Sequence, residues 1–500
     1  MGSPASPQTI SNIMSLSRRL TIIALAVLVL AVESRAQSPS DGDAQLRQVV
    51  EKALTSNPEV ASRFSAYRAS ADSVSAVAGA LRPRVDLLSN LGIEEDRITS
   101  RAPENQTLRR TGLGLSVTQL LWDGMGTQRD VDRVGHERYS RYFDLLESTE
   151  QTSLEAARAY YDVLRFRRLV TLAEDNYVQH RYVSKQTQAR FSAGVGRGVD
   201  FEQVNARLAL AESNLTTETA NLNDVMARYL RVVGEPPPAS LAPLTVLHVG
   251  LPDTKTDTIQ RALTQSPSIS AAVESVRAAQ MAAKVRDGAF QPRIEARVRS
   301  GFGNNYEGTQ DQKRDSTAEI VLNWNLYNGG SDQARVREAA NLINQAQDLR
   351  DKACRDVRQT ADIAYNDTRK LTDQLVLLDR NTVAIEKARD AYRQQFDIGQ
   401  RSLLDLLNSE NEVYTARRSY ANAEYDRALA FARTHASMNQ LTSRLGISKP
   451  VGLDDDGNAW SVGDDGPRRC PAEAVSLPTI DIEALANRAS GLSEAPKPAR

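Results

Sequence analysis

This chain of 500 residues has few of the groups that most chemistry needs. Its four histidines, His136, His180, His248 and His435, are scattered with no ligand spacing, which argues against a metal site. Its two cysteines, Cys354 in a helical pattern and Cys470 in a polar tail, are placed in a way that argues against a structural disulfide. There is no Gly-x-Ser-x-Gly motif and no phosphate loop, and Gly301-Phe302-Gly303-Asn304-Asn305-Tyr306 lacks the third glycine of a dinucleotide loop. Neither an enzyme nor a cofactor is expected. A formal net charge of −1 offers no basic face for nucleic acid and no acidic block. Aromatics make up 5% of the chain, too few for a thick core, whereas Ala, Arg, Gln and Asn suit long solvated helices.

Long hydrophobic runs are also scarce. The one candidate, Thr21 to Val32, has about 12 residues, too few to span a bilayer as a helix. Arg18 and Arg19 precede it and Ser34-Arg35-Ala36 follows, so residues 1–36 read as a signal peptide for Sec-type export. Met14 is an alternative start that leaves a more usual basic region. No cysteine follows the apolar run, which excludes an ordinary lipoprotein. With no later candidate helix, any membrane-embedded part must be a closed β-barrel.

What is present is a duplication. Phe396, Gly399 and Asp405 follow Phe191, Gly194 and Asp200 at a constant spacing of 205 positions, each set inside a helix–break–helix pattern. The first repeat, 44–234, opens with a helix from Ala44 to Ala80 that ends before Pro83. A period of two follows: Val85, Leu87, Leu91 and Ile93 lie on one face, Asp86, Asn90 and Glu94 on the other. A polar loop from about Asp96 to Thr111 leads to a second alternating run carrying Leu113, Leu115 and Val117, closed by Trp122-Asp123-Gly124. A proline-free helical pattern then runs from about Thr127 to Arg190, on the order of 95 Å if continuous, with a coiled-coil seam at Leu154, Ala157, Tyr161 and Leu164. After the Gly194–Gly198 break a helix returns to Val233, and Gly234-Glu235-Pro236 begins a linker, 235–252. The second repeat, 253–447, has the same order. Its strands are expected to carry Ile294, Ala296, Val298 and Phe302, then Ala318, Ile320, Leu322, Trp324 and Leu326, with a polar loop over Gly303–Ser316 between them. Tyr327-Asn328-Gly329 closes them, a helix runs from Ser331 to Phe396, and another runs from Leu403 to about Leu445. The polar remainder, 448–500, is expected to be mostly disordered.

Two strands per half cannot stand alone in water, and about ten residues apiece is the length that spans a bilayer when tilted. Four strands cannot close a barrel, so the chain must oligomerise to pair its edges. The alternative is a soluble four-stranded sheet in a periplasmic coiled-coil adaptor or structural protein. The discriminating positions are Leu87, Leu115, Val298 and Trp324, which face lipid in a duct and protein in an adaptor.

The repeat, the Pro-Arg lead-in to each first strand, the Trp-Asp-Gly and Tyr-Asn-Gly-Gly strand exits, and the Phe-x-x-Gly breaks together resemble the TolC family of bacterial outer-membrane efflux proteins, over about Ala44 to Ile447. The resemblance implies a mainly α protein with a membrane β-barrel. Three chains would contribute four strands each to a twelve-stranded barrel, and their helices would form an α-barrel across the periplasm. It implies an outer-membrane exit duct for efflux or type I secretion, a homotrimer, with a periplasmic membrane fusion protein and an inner-membrane pump of RND or ABC type as partners. Drug, metal and protein cargo all remain compatible with it. It also places the helix breaks at a periplasmic aperture, with turn glycines Gly194, Gly198 and Gly399. Asp405 matches a family position for an inward acid, while Asn408 stands where the family has a second acid. Arg401 matches a latch between inner and outer helix pairs, with Asp200 its acidic partner, and Phe396 replaces a frequent tyrosine, losing its hydroxyl. A plain helix-capping role for Asp405 and plain turn roles for the glycines are equally open on the residues alone.

Overall fold

The computed structural model describes residues 41–305, 311–448, 470–475 and 480–493; the signal peptide expected over 1–36 lies outside them. The first half holds α1 (Asp41–Ser56), α2 (Pro58–Ala78), β1 (Arg84–Arg97), β2 (Asn105–Trp122), α3 (Gly126–Ser192) and α4 (Gly198–Val233). The second half repeats that order as α5 (Lys255–Gln265), α6 (Pro267–Asp287), β3 (Arg293–Asn304), β4 (Gln312–Asn323), α7 (Ser331–Asp397) and α8 (Leu403–Ser437), followed by α9 (Leu441–Arg444) and α10 (Ile482–Ser493).

The boundaries have local causes that recur in both halves. The helix expected over Ala44–Ala80 is two helices, because Asn57 is extended and its side chain caps Glu59 N–H at 2.9 Å while Pro58 takes the first helical position. Ser266 and Pro267 do the same for α6. The strand exits are built on one acceptor each. Asp123 accepts from the Thr127 backbone N–H at 2.8 Å, and Asn328 accepts from that of Asp332 at 3.3 Å. Gly124, Gly329 and Gly330 supply the positive φ that the turns require.

The 67-residue α3 and α7 are each on the order of 100 Å long. On the strand side α2, α3, α6 and α7 pack in that order; on the far side α4, α3, α8 and α7 do. The two layers meet at an equator with two cores. One joins α1, α3, α4 and α8 to the linker through Leu46, Val50, Tyr160, Tyr161, Tyr229 and Leu247. The linker is strapped there: Arg167 donates to the carbonyls of Pro238 and Ala239 at 2.7 and 2.9 Å, and the Tyr161 hydroxyl donates to that of Thr245 at 3.2 Å. Burial pushes the Tyr160 and Tyr229 hydroxyls up to about 12, so both stay protonated, and Tyr160 donates to the Gln45 side chain at 3.1 Å. The second core gathers Ile259, Ile269, Val273, Cys354, Ala361 and Met438 with Cys470.

Several expectations need correction. Cys354 and Cys470 form a disulfide with Cα atoms 5.3 Å apart, although sequence placement argued against one. Of the remainder over 448–500, the described residues include Cys470 to Val475, where Cys470, Ala472 and Ala474 join the second core, and the helix Ile482–Ser493. The polar loops expected over 96–111 and 303–316 are shorter, with 96–97, 105–111, 303–304 and 312–316 in strand, because their charged residues sit in the ladder, as in Ile93 opposite Arg109 and Phe302 opposite Arg314. Conversely, β4 ends at Asn323, so Trp324 and Leu326 lie just beyond it. The last helix also stops early, at Ser437, where Asn439 takes a positive φ.

His435 is a buried histidine beside the first core. Its Nε2 lies 2.9 Å from the Leu247 carbonyl, which fixes that nitrogen as the donor, and Nδ1 is buried without a partner. Burial, aided by the nearby Arg444 charge, lowers its pKa below the ordinary 6.5 despite that hydrogen bond. A depressed folded pKa stabilises the fold above 6.5 and loses that stability as pH falls through the folded value. Melting temperature should therefore fall between about pH 7 and about pH 5. His435→Gln, which can keep a donor on Leu247, should show a shallower fall; equal slopes would remove His435 from the account.

Candidate functional site

The far ends of the helix pairs bring the two halves of the repeat together. Phe396 packs with Val183, Val204, Leu403 and Leu407, one residue or more from each of α3, α4, α7 and α8. Both reversals use the same backbone device. Gly194 N–H donates to the Phe191 carbonyl at 2.9 Å with φ +75°, and Gly399 N–H to that of Phe396 at 3.0 Å with φ +76°. Gly198 has no positive φ and simply begins α4. Gly196 is the constrained one: a Cβ there would sit 2.8 Å from the Phe191 backbone nitrogen.

The first tip is aromatic. Phe191 stacks on Phe201 with centroids 5.4 Å apart and planes 5° from parallel, and the Arg190 guanidinium lies 5.5 Å from the Phe396 ring. The second tip is polar. Ser402 caps α8, accepting from Asp405 N–H at 3.2 Å while its hydroxyl donates to the Asp405 carboxylate at 2.9 Å. Arg401 donates to the Gln395 side chain at 3.0 Å, lies 3.7 Å from Asp405 and covers the Tyr392 ring at 4.7 Å.

Arg401 thus stays on its own hairpin, and among the described residues its ion pair is with Asp405 rather than with the expected Asp200, which sits in the first turn of α4. The link between α4 and α8 is made instead by Arg207, which donates to the Asn408 side chain at 2.8 Å. Neither Arg207 nor its pairing was legible beforehand, since Asn408 was read only as a missing charge. Behind it, Arg418 on α8 meets the buried Glu218 of α4 at 2.7 Å. Glu410, also buried, holds Arg389 at 3.1 Å and Arg393 at 2.5 Å, and Arg393 reaches Gln179 of α3 at 2.9 Å. The apolar tip cluster is small, so these charged links carry much of the alignment of α3, α7 and α8. Among the described residues no three His, Cys, Asp or Glu side chains converge as a metal site would require.

At the opposite end the sheet runs β1-β2-β3-β4, antiparallel throughout, and β1 and β4 have no strand on their outer sides among the described residues. Paired residues share a face, so the register sorts the side chains. Val85, Val117, Val298 and Ala318 form one row, and Leu87, Leu115, Ser300 and Ser316 the next. That face is exposed, with Leu87 at 70% and Ile320 at 73%. The other face carries Glu295 between Arg293 and Arg297 at 2.6 and 2.7 Å, and Arg110 facing Glu94 at 3.5 Å. Leu87, Leu115 and Val298 therefore share one apolar face that no described residue covers. Trp324, also exposed, donates to the Phe290 carbonyl at 3.1 Å beside the strand end. No described helix is long and apolar enough to cross a membrane.

Residues 49–233 and 258–440 match the family described as Outer membrane efflux protein. Over 400 residues the chain is 26% identical to outer membrane efflux protein BepC of Brucella suis biovar 1 (strain 1330), covering 79% of this chain and 86% of that one. It is 28% identical over 303 residues to alkaline protease secretion protein AprF of Pseudomonas aeruginosa, 57% of this chain and 60% of that one. Its fold matches the Campylobacter jejuni CmeC outer membrane channel with a TM-score of 0.71 at 14% identity, over 88% of this chain and 94% of that one.

Truncating the buried acid at the tip tests whether the charged links hold it. Glu410→Ala should cost roughly 2–3 kcal/mol, the low end for a buried pair because Arg393 is partly exposed. Glu410→Gln should cost less, since the amide oxygen still accepts. Denaturant or thermal unfolding reads both, and a loss near zero for Glu410→Ala would show that apolar packing alone aligns these helices.

Proposed function

The chain belongs to the outer membrane efflux protein family, and on that premise we propose that three copies of this outer-membrane protein close one exit duct, gated at its periplasmic tip. The observation that carries this reading is the sheet: two unpaired edges, one uncovered apolar face and one charged face. Lipid covers the first face, a water-filled lumen takes the second, and β1 of one copy pairs with β4 of the next. The soluble adaptor needs Leu87, Leu115 and Val298 under protein, and their exposure speaks against it.

At the tip, three Asp405 carboxylates brought around one axis repel one another and attract cations, with Asn408 contributing no charge one turn on. Opening must move the α8 hairpin away from α4, so the Arg207–Asn408 bond is the contact to break. Arg401 acts within its hairpin, holding Asp405 and Gln395 in place. The duct is passive, and a membrane fusion protein with an inner-membrane pump supplies the energy. Relatives named for efflux and for protease secretion support either kind of pump.

Conductance of purified protein in a planar bilayer tests the gate. The wild type should give a small, cation-preferring conductance. Arg207→Ala should enlarge it, with Arg401→Ala giving a smaller gain, and Asp405→Asn should reduce cation preference while leaving the cap's shape. A pore indifferent to all three would leave the duct and remove this gate; folded protein that neither inserts nor conducts would remove the duct.

A further inference from the structure

We propose that the Cys354–Cys470 disulfide is a covalent latch, closed in an oxidising compartment, that docks the C-terminal segment onto the equatorial seam between α5, α6 and α7. The inference stands on the seam itself and does not depend on the duct or its gate.

These are the only two cysteines of the chain. Both sulfurs are buried in one apolar cluster, and the 5.3 Å Cα separation lies in the range a disulfide spans. Cys354 lies on the inward stripe of α7 with Val357 and Ala361, opposite Ile259 and Leu263 of α5 and Ile269 and Val273 of α6. The segment brings little else to hold it there. Ala472 and Ala474 are only partly buried, and among the described residues a polar contact fixes its end, where Lys255 donates to the Val475 carbonyl at 2.7 Å while pairing with Asp362 at 2.6 Å. Two small side chains and an exposed hydrogen bond do not outweigh the entropy of ordering a segment that leaves α9 at Arg444 and returns at Cys470. The covalent bond removes that cost from the balance, since a cross-link over 116 positions restrains the open state far more than the closed one.

Closing the latch takes two electrons and two protons from the two thiols. The acceptor is a disulfide of another molecule, of the thiol-oxidising protein class: one cysteine thiolate attacks it, forming a mixed disulfide and releasing one oxidant thiol, and the second cysteine thiolate then attacks the mixed disulfide, closing Cys354–Cys470 and releasing the oxidant as a dithiol. Such oxidants work in extracytoplasmic compartments, so the latch forms after export rather than during synthesis. Once closed, it lays Cys470, Ala472 and Ala474 over the seam.

The test compares folded full-length protein before and after mild reduction, with Cys354→Ala/Cys470→Ala as the permanently open form. Thiol alkylation followed by intact mass should find no free thiol in protein isolated from the cell envelope and two after reduction. Reduction should expose the chain beyond residue 470 to limited proteolysis and lower the melting temperature by several degrees, and the double variant should match the reduced protein on both readouts. Free thiols in the isolated protein would overturn the latch. So would a cleavage pattern and melting temperature unchanged by reduction of the wild type, a result that needs no folded variant.

Discussion

Unpaired backbone groups along a sheet edge, next to an apolar face with no cover, are the constraint on which this molecule depends. The four strands cannot satisfy their own edges, because β1 and β4 lie at opposite ends of one antiparallel sheet. They cannot roll into a barrel alone, since four strands leave no interior. Water would hydrate the edges but not Leu87, Leu91, Ile93 and Ile320, and a bilayer would accept those side chains but not the edges. Closure with further copies inside a bilayer, as proposed above, would meet both demands. Each strand pair is continued into a 67-residue helix that carries the chain away from the sheet.

How the chain turns from strand to helix explains why the duplication survives in the fold despite little identity between halves. Asp123 and Asn328 have different charges, yet each places one oxygen over the first free N–H of a helix of the same length. Asn57 and Ser266 do likewise ahead of a proline. What is repeated is the position of an acceptor and of a residue with permitted φ, which a chain can preserve while nearly every other side chain drifts.

That economy also decides how much could be read beforehand. Helix breaks, strand faces and the repeat depend on local period and turn chemistry, so Gly194, Gly399, Leu87, Leu115 and Val298 were legible. Strand ends were not, because Arg109, Lys313 and Arg314 look like loop residues until a partner strand lies beside them. Long-range pairings were invisible for the same reason. Nothing near Asn408 in sequence indicates Arg207, and nothing in the polar tail indicates that Cys470 returns to Cys354 across a large part of the chain. Buried acids such as Glu410 and Glu218 were not singled out, since helical period marks a face without saying which helix arrives on it.

The two tips share a backbone and differ in what holds them, and the difference bears on which one can move. Around the first reversal the contacts are short-range and apolar: Phe191 on Phe201, with Gly196 packed against the Phe191 backbone where no side chain fits. Such a turn resists displacement because any shift leaves a void or a clash. Around the second, Ser402, Asp405, Arg401 and Gln395 exchange hydrogen bonds at partly exposed positions, where water can replace a lost partner at small cost. On the gating proposed above, the α7–α8 hairpin is the pair that would swing as a unit, its own polar contacts travelling with it. Arg207–Asn408 and Arg418–Glu218, which tie it to α4, differ in burial, so in that proposal the exposed amide bond at Asn408 would break before the buried Glu218 pair.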